Sequence, residues 1–285
     1  MAMQIQSVEG NAQWLDGGAM FGNCPKTLWE SWCLPDSQNR IRLACRAMLV
    51  REKGGRLVLF EAGIGVFFDP KRRARFGVEG DDHALLSNLA ALGVAPEDVD
   101  VIVLSHLHFD HAGGLLSTWC EDEAPSLVFL NAHYVVGAEA WARACHPHAR
   151  DKASFIAELQ PLLEATGRLE LVHDDRSHVL GAEYTFFVSH GHTPGLLLTT
   201  VLHAPGGPIT FMGDLVPGAP WVHLPISMGY DRYPEMIIDE KSVLLSRMAK
   251  GGERAFFTHD PNHAAGKITC DAKGRYSAVE LVKTL

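Results

Sequence analysis

The chain has 285 residues, of which 47% are hydrophobic, 8% aromatic and 21% charged, a composition with enough apolar material for a sizeable core and too much for disorder. Its formal charge of −9 at pH 7 argues against a nucleic-acid partner, whose phosphates require clustered Lys and Arg. No stretch approaches the roughly 18 apolar residues of a membrane span, and the opening "MAMQIQSVEGNAQWLDGG" lacks the basic and apolar regions of an export signal, so no membrane partner and a cytoplasmic location are expected.

No Ser/Pro-rich linker or charge block divides the chain, and a single domain over residues 1–285 is expected. Cys24, Cys33, Cys45, Cys120, Cys145 and Cys270 show no CxxC spacing and read as free or buried thiols.

In chain order, "IRLACRAMLVREKGGRLVLFEAGIG" reads as two β segments joined at a Gly-Gly turn. "KRRAR" at Lys71 to Arg75, followed by "EGDD", reads as a solvated loop. "DDHALLSNLAALGV" has apolar residues at helical spacing and Gly93 as a stop. "VDVIVLS" is a near-continuous apolar strand, of the kind buried on both faces. "NAHYVVGAEAWARA" and "KASFIAELQPLLEATG" read as helices, and "EYTFFVS", "LLLTTVLH", "PITFMGD" and "RAFFTH" as strands. "YPEMIIDEKSVLLSRMAKGG" is an amphipathic helix closed by Gly251 and Gly252. Strands in runs separated by helices suit two packed sheets with helices outside.

Directly behind the apolar strand comes "HLHFDH", which places His106, His108, Asp110 and His111 within six residues. Residues two apart on extended chain point the same way, so His106 and His108 can reach one ion while the turn beyond them aims Asp110 and His111 at a second position. Imidazole and carboxylate together suit Zn²⁺, Mn²⁺ or Fe²⁺. Downstream, three strands end in the same way: "FFVSHGHTPG" with His192, "ITFMGDLV" with Asp214, and "AFFTHDP" with His259.

The ordered set HxHxDH, GHTPG, GD and a late strand ending in His resembles the ligand set of the metallo-β-lactamase superfamily, over about Arg42 to His259. The resemblance implies a four-layer αββα sandwich of two mixed sheets with a dinuclear site in the cleft at one edge. It implies that His106, His108 and His192 hold one divalent metal, Zn or else Fe or Mn, that Asp110, His111 and His259 hold the other, and that Asp214 bridges them. A metal-bridging hydroxide is then the implied nucleophile, and Asp110 can also relay a proton to the leaving group.

Among the branches of that superfamily, exported β-lactamases commonly carry Cys where this chain has Asp214, glyoxalase II-type thioesterases carry a further helical domain, and nucleic-acid-processing members need an exosite. The segment "DGGAMFGNCPKTLW", Asp16 to Trp29, resembles instead the N-terminal segment of N-acyl homoserine lactonases and organophosphate hydrolases, where it forms part of the substrate entrance. The implied activity is hydrolysis of a lactone or other carboxylic ester, with N-acyl homoserine lactones as candidates. An organophosphate or phosphodiester hydrolase and a glyoxalase II-type thioesterase are the alternatives, and a metal-binding protein without catalysis is the reading from another class. Residues 1–40 are expected to shape the entrance; Met20, Phe21, Pro25, Leu28 and Trp29 either line a pocket or plug the core, and the same apolar segment could meet a partner subunit in a homodimer.

One departure stands out. The lactonases have a Tyr three residues after the bridging Asp, where this chain has Pro217, so another donor is required. His223, Tyr230 and Tyr233 in "PWVHLPISMGYDRYPE" are the candidates, His223 and Tyr230 foremost. Glu61 and His190 read as supports for the metal loops.

Overall fold

The computed structural model describes residues 2–285. Strands β1 (Gln4–Glu9) and β2 (Gln13–Asp16) lead through two short helices, α1 (Gly17–Phe21) and α2 (Lys26–Trp29), to β3 (Arg40–Leu43), which pairs with β2. Next, β4 (Arg46–Arg51) and β5 (Leu57–Phe60) form a hairpin around Gly54 and Gly55. Helices α3 (Pro70–Phe76) and α4 (Ala84–Ala91), strand β6 (Val101–Leu104), the single turn α5 (Phe109–Ala112), strand β7 (His133–Gly137), helices α6 (Ala138–Cys145) and α7 (Leu159–Ala165), and strand β8 (Leu169–Val172) follow. The second half runs β9 (Tyr184–Ser189), β10 (Leu196–Val201), β11 (Ile209–Phe211), α8 (Pro234–Gly251), β12 (Arg254–Phe256), β13 (Ala265–Cys270) and β14 (Tyr276–Val282).

Three of these elements correct the expectations from sequence. "KRRAR" is helical: Asp69 accepts from the Arg72 backbone N–H at the start of α3, and Gly77 closes the helix in the left-handed region at φ 59°. "NAHYVVGAEAWARA" splits at Gly137, because Tyr134, Val135 and Val136 pair in parallel with β6 and β8 and only the residues after them turn helical; β-branched and aromatic side chains buried between two strands outweigh the helical pattern. The long segment at 152–167 is an α-helix only from Leu159, and its first part lies along a cleft instead.

Two six-stranded sheets result, in the orders β1-β4-β5-β6-β7-β8 and β14-β13-β12-β11-β10-β9. Alternation along the strands builds the layers. Met48, Val50, Val58, Phe60, Val101 and Val103 turn inward against Phe186, Leu197, Phe211 and Phe256 of the other sheet. Their neighbours Leu49, Leu57, Leu59, Ile102 and Leu104 face outward and are covered by Leu85 and Leu89 of α4, Trp141 of α6, and Leu159 and Leu163 of α7. On the far side, Leu196, Leu198, Ala255 and Ile268 are covered by Ile237, Leu244, Leu245 and Met248 of α8. Each Leu or Phe so buried contributes roughly 1.5–3 kcal/mol. The product is the αββα sandwich. Among the described residues no helix is long and apolar enough to cross a membrane.

Strands β5, β6, β7 and β8 run parallel, as do β11 and β12. The sheets meet where Arg46 N–H donates to Thr258 O (3.0 Å), Ala44 N–H to His259 O (3.2 Å) and Leu197 N–H to Ser105 O (2.8 Å). The loops that leave β5, β6, β9, β11 and β12 gather at this seam.

Candidate metal centre

Beyond β6, whose four residues are all buried, the chain stays extended to His108 and then makes one helical turn, His111 and Ala112 N–H donating to His108 O (3.1 Å each). The turn swings Asp110 and His111 inward. It also presses Gly113 and Gly114 onto the loop after β5: a Cβ on Gly114 would lie 2.0 Å from Ala62 O, and one on Gly113 2.3 Å from Ile64 O. Only glycine permits that approach. The same loop carries Glu61, buried and at φ 62°. Its carboxylate accepts from His111 Nδ1 (2.8 Å), from Thr258 Oγ1 (3.2 Å) and from Ser105 Oγ, and so joins three loops of the site.

His192 follows β9 in a turn held by Glu240 of α8, which accepts from Ser189 Oγ (2.6 Å), His190 N–H (2.8 Å) and Gly191 N–H (3.1 Å). Its Nδ1 donates to Asp231 Oδ1 (2.9 Å), and Asp231 Oδ2 accepts from Met228 N–H (2.7 Å). His259 Nδ1 donates to Ala44 O (2.6 Å). His106 Nδ1 donates to Ser105 Oγ (2.9 Å), because that hydroxyl spends its own proton on Glu61. In these four rings the outer nitrogen, Nδ1, is engaged and Nε2 points inward.

The inward nitrogens converge. His106 Nε2 lies 2.9 Å from His108 Nδ1, and His192 Nε2 lies 3.3 Å from the same atom. Asp214 completes this group, with Oδ2 3.2 Å from His192 Nε2. Its other oxygen, Oδ1, lies 3.3 Å from both His111 Nε2 and His259 Nε2, which are 3.2 Å apart. Asp110 Oδ1 and Oδ2 approach this second group at 3.7 and 3.6 Å. Thus His106, His108, His192 and Asp214 each bring a ligand atom within 4.8 Å of the others, and so do Asp110, His111 and His259. A third grouping of Glu61, His106 and His111 meets the same distance limit, but both Glu61 oxygens already accept hydrogen bonds and Glu61 reads as a support.

These contacts fit divalent cations. Ring nitrogens about 2.0–2.1 Å from a tetrahedral Zn²⁺ are about 3.3 Å from one another, close to the separations observed. Buried ring nitrogens 2.9–3.3 Å apart are held together by a shared proton or by a cation between them. Asp214 Oδ1 is buried and makes no hydrogen bond among the described residues, with only the His111 and His259 ring nitrogens beside it at 3.3 Å, a position in which a carboxylate oxygen needs a cation or protonated imidazoles.

The protein's own field divides the imidazoles. Burial, with the neighbouring imidazoles adding to it, pushes His106 and His108 well below the ordinary imidazole range. Burial pulls His111 and His259 down as well, but the Glu61, Asp214 and Asp110 carboxylates at His111, and Asp214 at His259, overcome it and hold both well above that range. Burial works against the Asp214 carboxylate, yet the charges of His111, His192 and His259 hold it well below its usual value.

The pair of groups forms the floor of a cleft of about 1010 Å³. His108, Asp110, His192, Asp214 and His259 line it, with Phe67, Phe68, Phe109 and Phe155 above them. Tyr230, 43% exposed, faces the same space. Burial, then the charges of Asp110 and Asp16, raises its phenol above the ordinary range. His223 does not join it: its ring stacks on Trp32 at 5.2 Å, it is absent from the cleft wall, and its carbonyl accepts from Lys241 Nζ (2.9 Å). That corrects the expectation for His223, whose loop turns outward at the 3₁₀ turn Ala219–Val222. Tyr233 is the N-cap residue before α8 and is likewise absent from the lining, as is His190, whose Nδ1 accepts from Gly195 N–H (3.2 Å) and lies 3.2 Å from Glu139.

The N-terminal segment does two things at once. Trp14, Leu15 and Met20 line the cleft, while Phe21 is stacked between Trp29 (5.3 Å) and Trp221 (4.4 Å) in the core. Leu28, 54% exposed, does neither. Two supports escaped the sequence: Asp231, and Gln13, whose Nε2 donates to Asp110 Oδ2 (2.6 Å). A lone Gln on a short strand carries no metal signal, and Asp231 is 39 residues from the His192 it orients.

Residues 40–119 match the family model of the metallo-beta-lactamase superfamily. A probable metallo-hydrolase, YflN of Bacillus subtilis (strain 168), is 25% identical over 177 residues, 59% of this chain and 57% of that protein, so the match spans little more than half the length of that curated relative. The solved structure of a probable metal-dependent hydrolase from Staphylococcus aureus superposes with a TM-score of 0.85 at 27% identity, over 98% of this chain and 97% of the other. AidC, a dizinc quorum-quenching lactonase in complex with its N-hexanoyl-L-homoserine product, shares the fold, with a TM-score of 0.73 at 21% identity over 97% and 94% of the two chains.

Proposed function

Because the chain carries a metallo-β-lactamase superfamily domain, we propose that it is a metal-dependent hydrolase that opens a lactone or cleaves another carboxylic ester, N-acyl homoserine lactones among the candidates. The observation that carries this reading is Asp214, whose two oxygens turn to two separate imidazole groups. His106, His108 and His192 would hold one divalent cation and Asp110, His111 and His259 a second, with Asp214 common to both. Zn²⁺ suits this donor set, and Fe or Mn share it. Cations so held supply a water acidified towards neutral pH and polarise the scissile carbonyl.

The remaining work falls to the chain's own groups. Asp110, 9% exposed on the cleft floor and anchored by Gln13, takes up the proton released as water adds to the carbonyl and passes it to the leaving oxygen as that bond breaks. Tyr230 stands in for the Tyr that Pro217 replaces: its phenol, kept protonated at neutral pH, donates to the substrate carbonyl as negative charge develops there. Phe68, Phe109 and Met20 offer apolar walls to an acyl chain and exclude water from it.

The test is direct. Purified protein reconstituted with Zn²⁺ or Mn²⁺ is assayed on acyl lactones, aryl esters and a phosphotriester, with metal content measured in parallel. Hydrolysis of esters or lactones that is lost on chelation and in His108→Ala is the expected result. Metal-replete protein inert towards all of them overturns the reading, and a preference for the phosphotriester transfers it to phosphoester chemistry.

A further inference from the structure

One wall of the cleft is made by residues 149–158 and the loop 229–232, tied together where Arg150 Nη2 donates to Gly229 O (3.0 Å). Arg232 belongs to this wall, its backbone N–H donating to His192 O (3.2 Å). Its side chain is only 9% exposed, and Nε and Nη1 are buried with no hydrogen-bond partner among the described residues. The nearest carboxylate oxygen, Asp151 Oδ2, is 3.7 Å from Nε, beyond hydrogen-bond reach. That oxygen already accepts two bonds from Arg143, at 3.0 and 2.7 Å.

Two guanidinium groups therefore share one carboxylate beside His108 and His192. Asp151 Oδ1 is unpartnered as well, yet the trio of Arg143, Asp151 and Arg232 keeps a net positive charge shielded from water. An uncompensated buried cation is strongly unfavourable unless something completes it. The surroundings carry both signs: in a chain of net charge −9, six basic side chains line this cleft, Arg40, Arg72, Arg75, Arg150, Lys152 and Arg232, of which Arg40 and Arg72 are paired with Asp36 and Asp69. Five acidic ones face them, two of which are Asp110 and Asp214 on the floor.

We propose that Arg232 is a specificity-determining residue that receives an anionic oxyacid group of the substrate, a carboxylate or a phosphonate-type group remote from the scissile bond. The planar guanidinium is suited to such a group, since it offers parallel donors to two oxygens. Arg150 and Lys152, in the same wall, draw the anion in. This inference rests on the ester-hydrolase reading and narrows it from neutral esters to acidic ones.

The experiment uses matched 4-nitrophenyl esters of adipic acid, one with the far carboxyl free and one with it methylated, and a third ending in a phosphonate. Wild-type protein is expected to favour an anionic ester over the neutral one by about tenfold in kcat/KM, mainly through KM. The carboxylate and phosphonate arms tell which group is preferred. The advantage collapses in Arg232→Gln and is partly kept in Arg232→Lys, with folding of both checked by circular dichroism. Calorimetric binding of adipamic acid against neutral adipamide reads the same advantage without turnover. Equal treatment of anionic and neutral compounds by wild type, or a preference that survives Arg232→Gln, overturns the proposal. Turnover of no ester at all removes the hydrolase reading, while the binding comparison still decides the role of Arg232.

Discussion

Four of the seven gathered side chains come from one six-residue stretch, His106 to His111, whereas His192, Asp214 and His259 arrive singly on loops that leave β9, β11 and β12. The first half is a local object: a strand end, one helical turn and two glycines set its geometry. The second half depends on partners far away in sequence. His192 is oriented by Asp231 and its turn by Glu240, and His259 by the carbonyl of Ala44. Glu61 crosses between the halves, bonding Ser105 and His111 on one side and Thr258 on the other. Its left-handed backbone, φ 62°, costs about 1–2 kcal/mol for a non-glycine residue, a strain that the surrounding hydrogen bonds offset.

Removing the one carboxylate that faces both imidazole groups should have the largest effect. Asp214→Ala is expected to lower the bound metal below two per chain and kcat/KM by about a thousandfold, measured by elemental analysis and ester kinetics. Retention of two tightly bound ions would show that the two imidazole groups do not need a common carboxylate. The supports come next. Glu61→Gln, which loosens both halves, should weaken metal affinity by about a hundredfold and Asp231→Asn, which loosens His192 alone, by about tenfold. Competition with a chromophoric chelator reads both; equal losses would erase the distinction between a bridging support and a local one.

A smaller effect is expected from Tyr230→Phe, which leaves metal binding intact and reduces kcat about tenfold, because the donor is partly exposed and its hydrogen bond is shared with water. The smallest is a pH dependence. Lys241, fully buried, donates to the carbonyls of His223 and Ile226 (2.9 Å each) and so anchors the second half's long loop. Burial, partly opposed by Asp231, lowers its pKa from 10.5 to about 7. Between those values the unfolded chain holds a proton that the folded one has released, so this group adds stability as pH rises from about 7, with a slope of at most about 1.4 kcal/mol per pH unit. Urea unfolding at pH 6.5 and 9 should show that rise in wild type relative to Lys241→Met; parallel behaviour of the two proteins would count against a depressed amine.

Much of this is legible in the sequence. Apolar runs ending in a lone His or Asp gave the strands and the inward residues together, because buried strands are continuous in hydrophobicity and sites form where they stop. The strands β1, β2, β8, β13 and β14 are not legible in the sequence, since they mix polar with apolar residues and, except for β13 between β12 and β14, lie at sheet edges where a single neighbour supplies their pairing. Helix α3 was hidden by its exposed basic face, and His223 was misplaced because nothing local tells which way a Pro-interrupted loop turns.

By itself, then, the sequence determined the chemical character of the floor: imidazoles and carboxylates in an order that only a strand-and-loop scaffold can use. Tertiary structure alone decided which nitrogen of each ring points inward, that the two Asp214 oxygens part toward different groups, and that Arg232 is left without a matching anion. The physical reason is reach. Side-chain identity and period are local properties, but ring orientation, charge balance and burial are set by partners tens to hundreds of residues away.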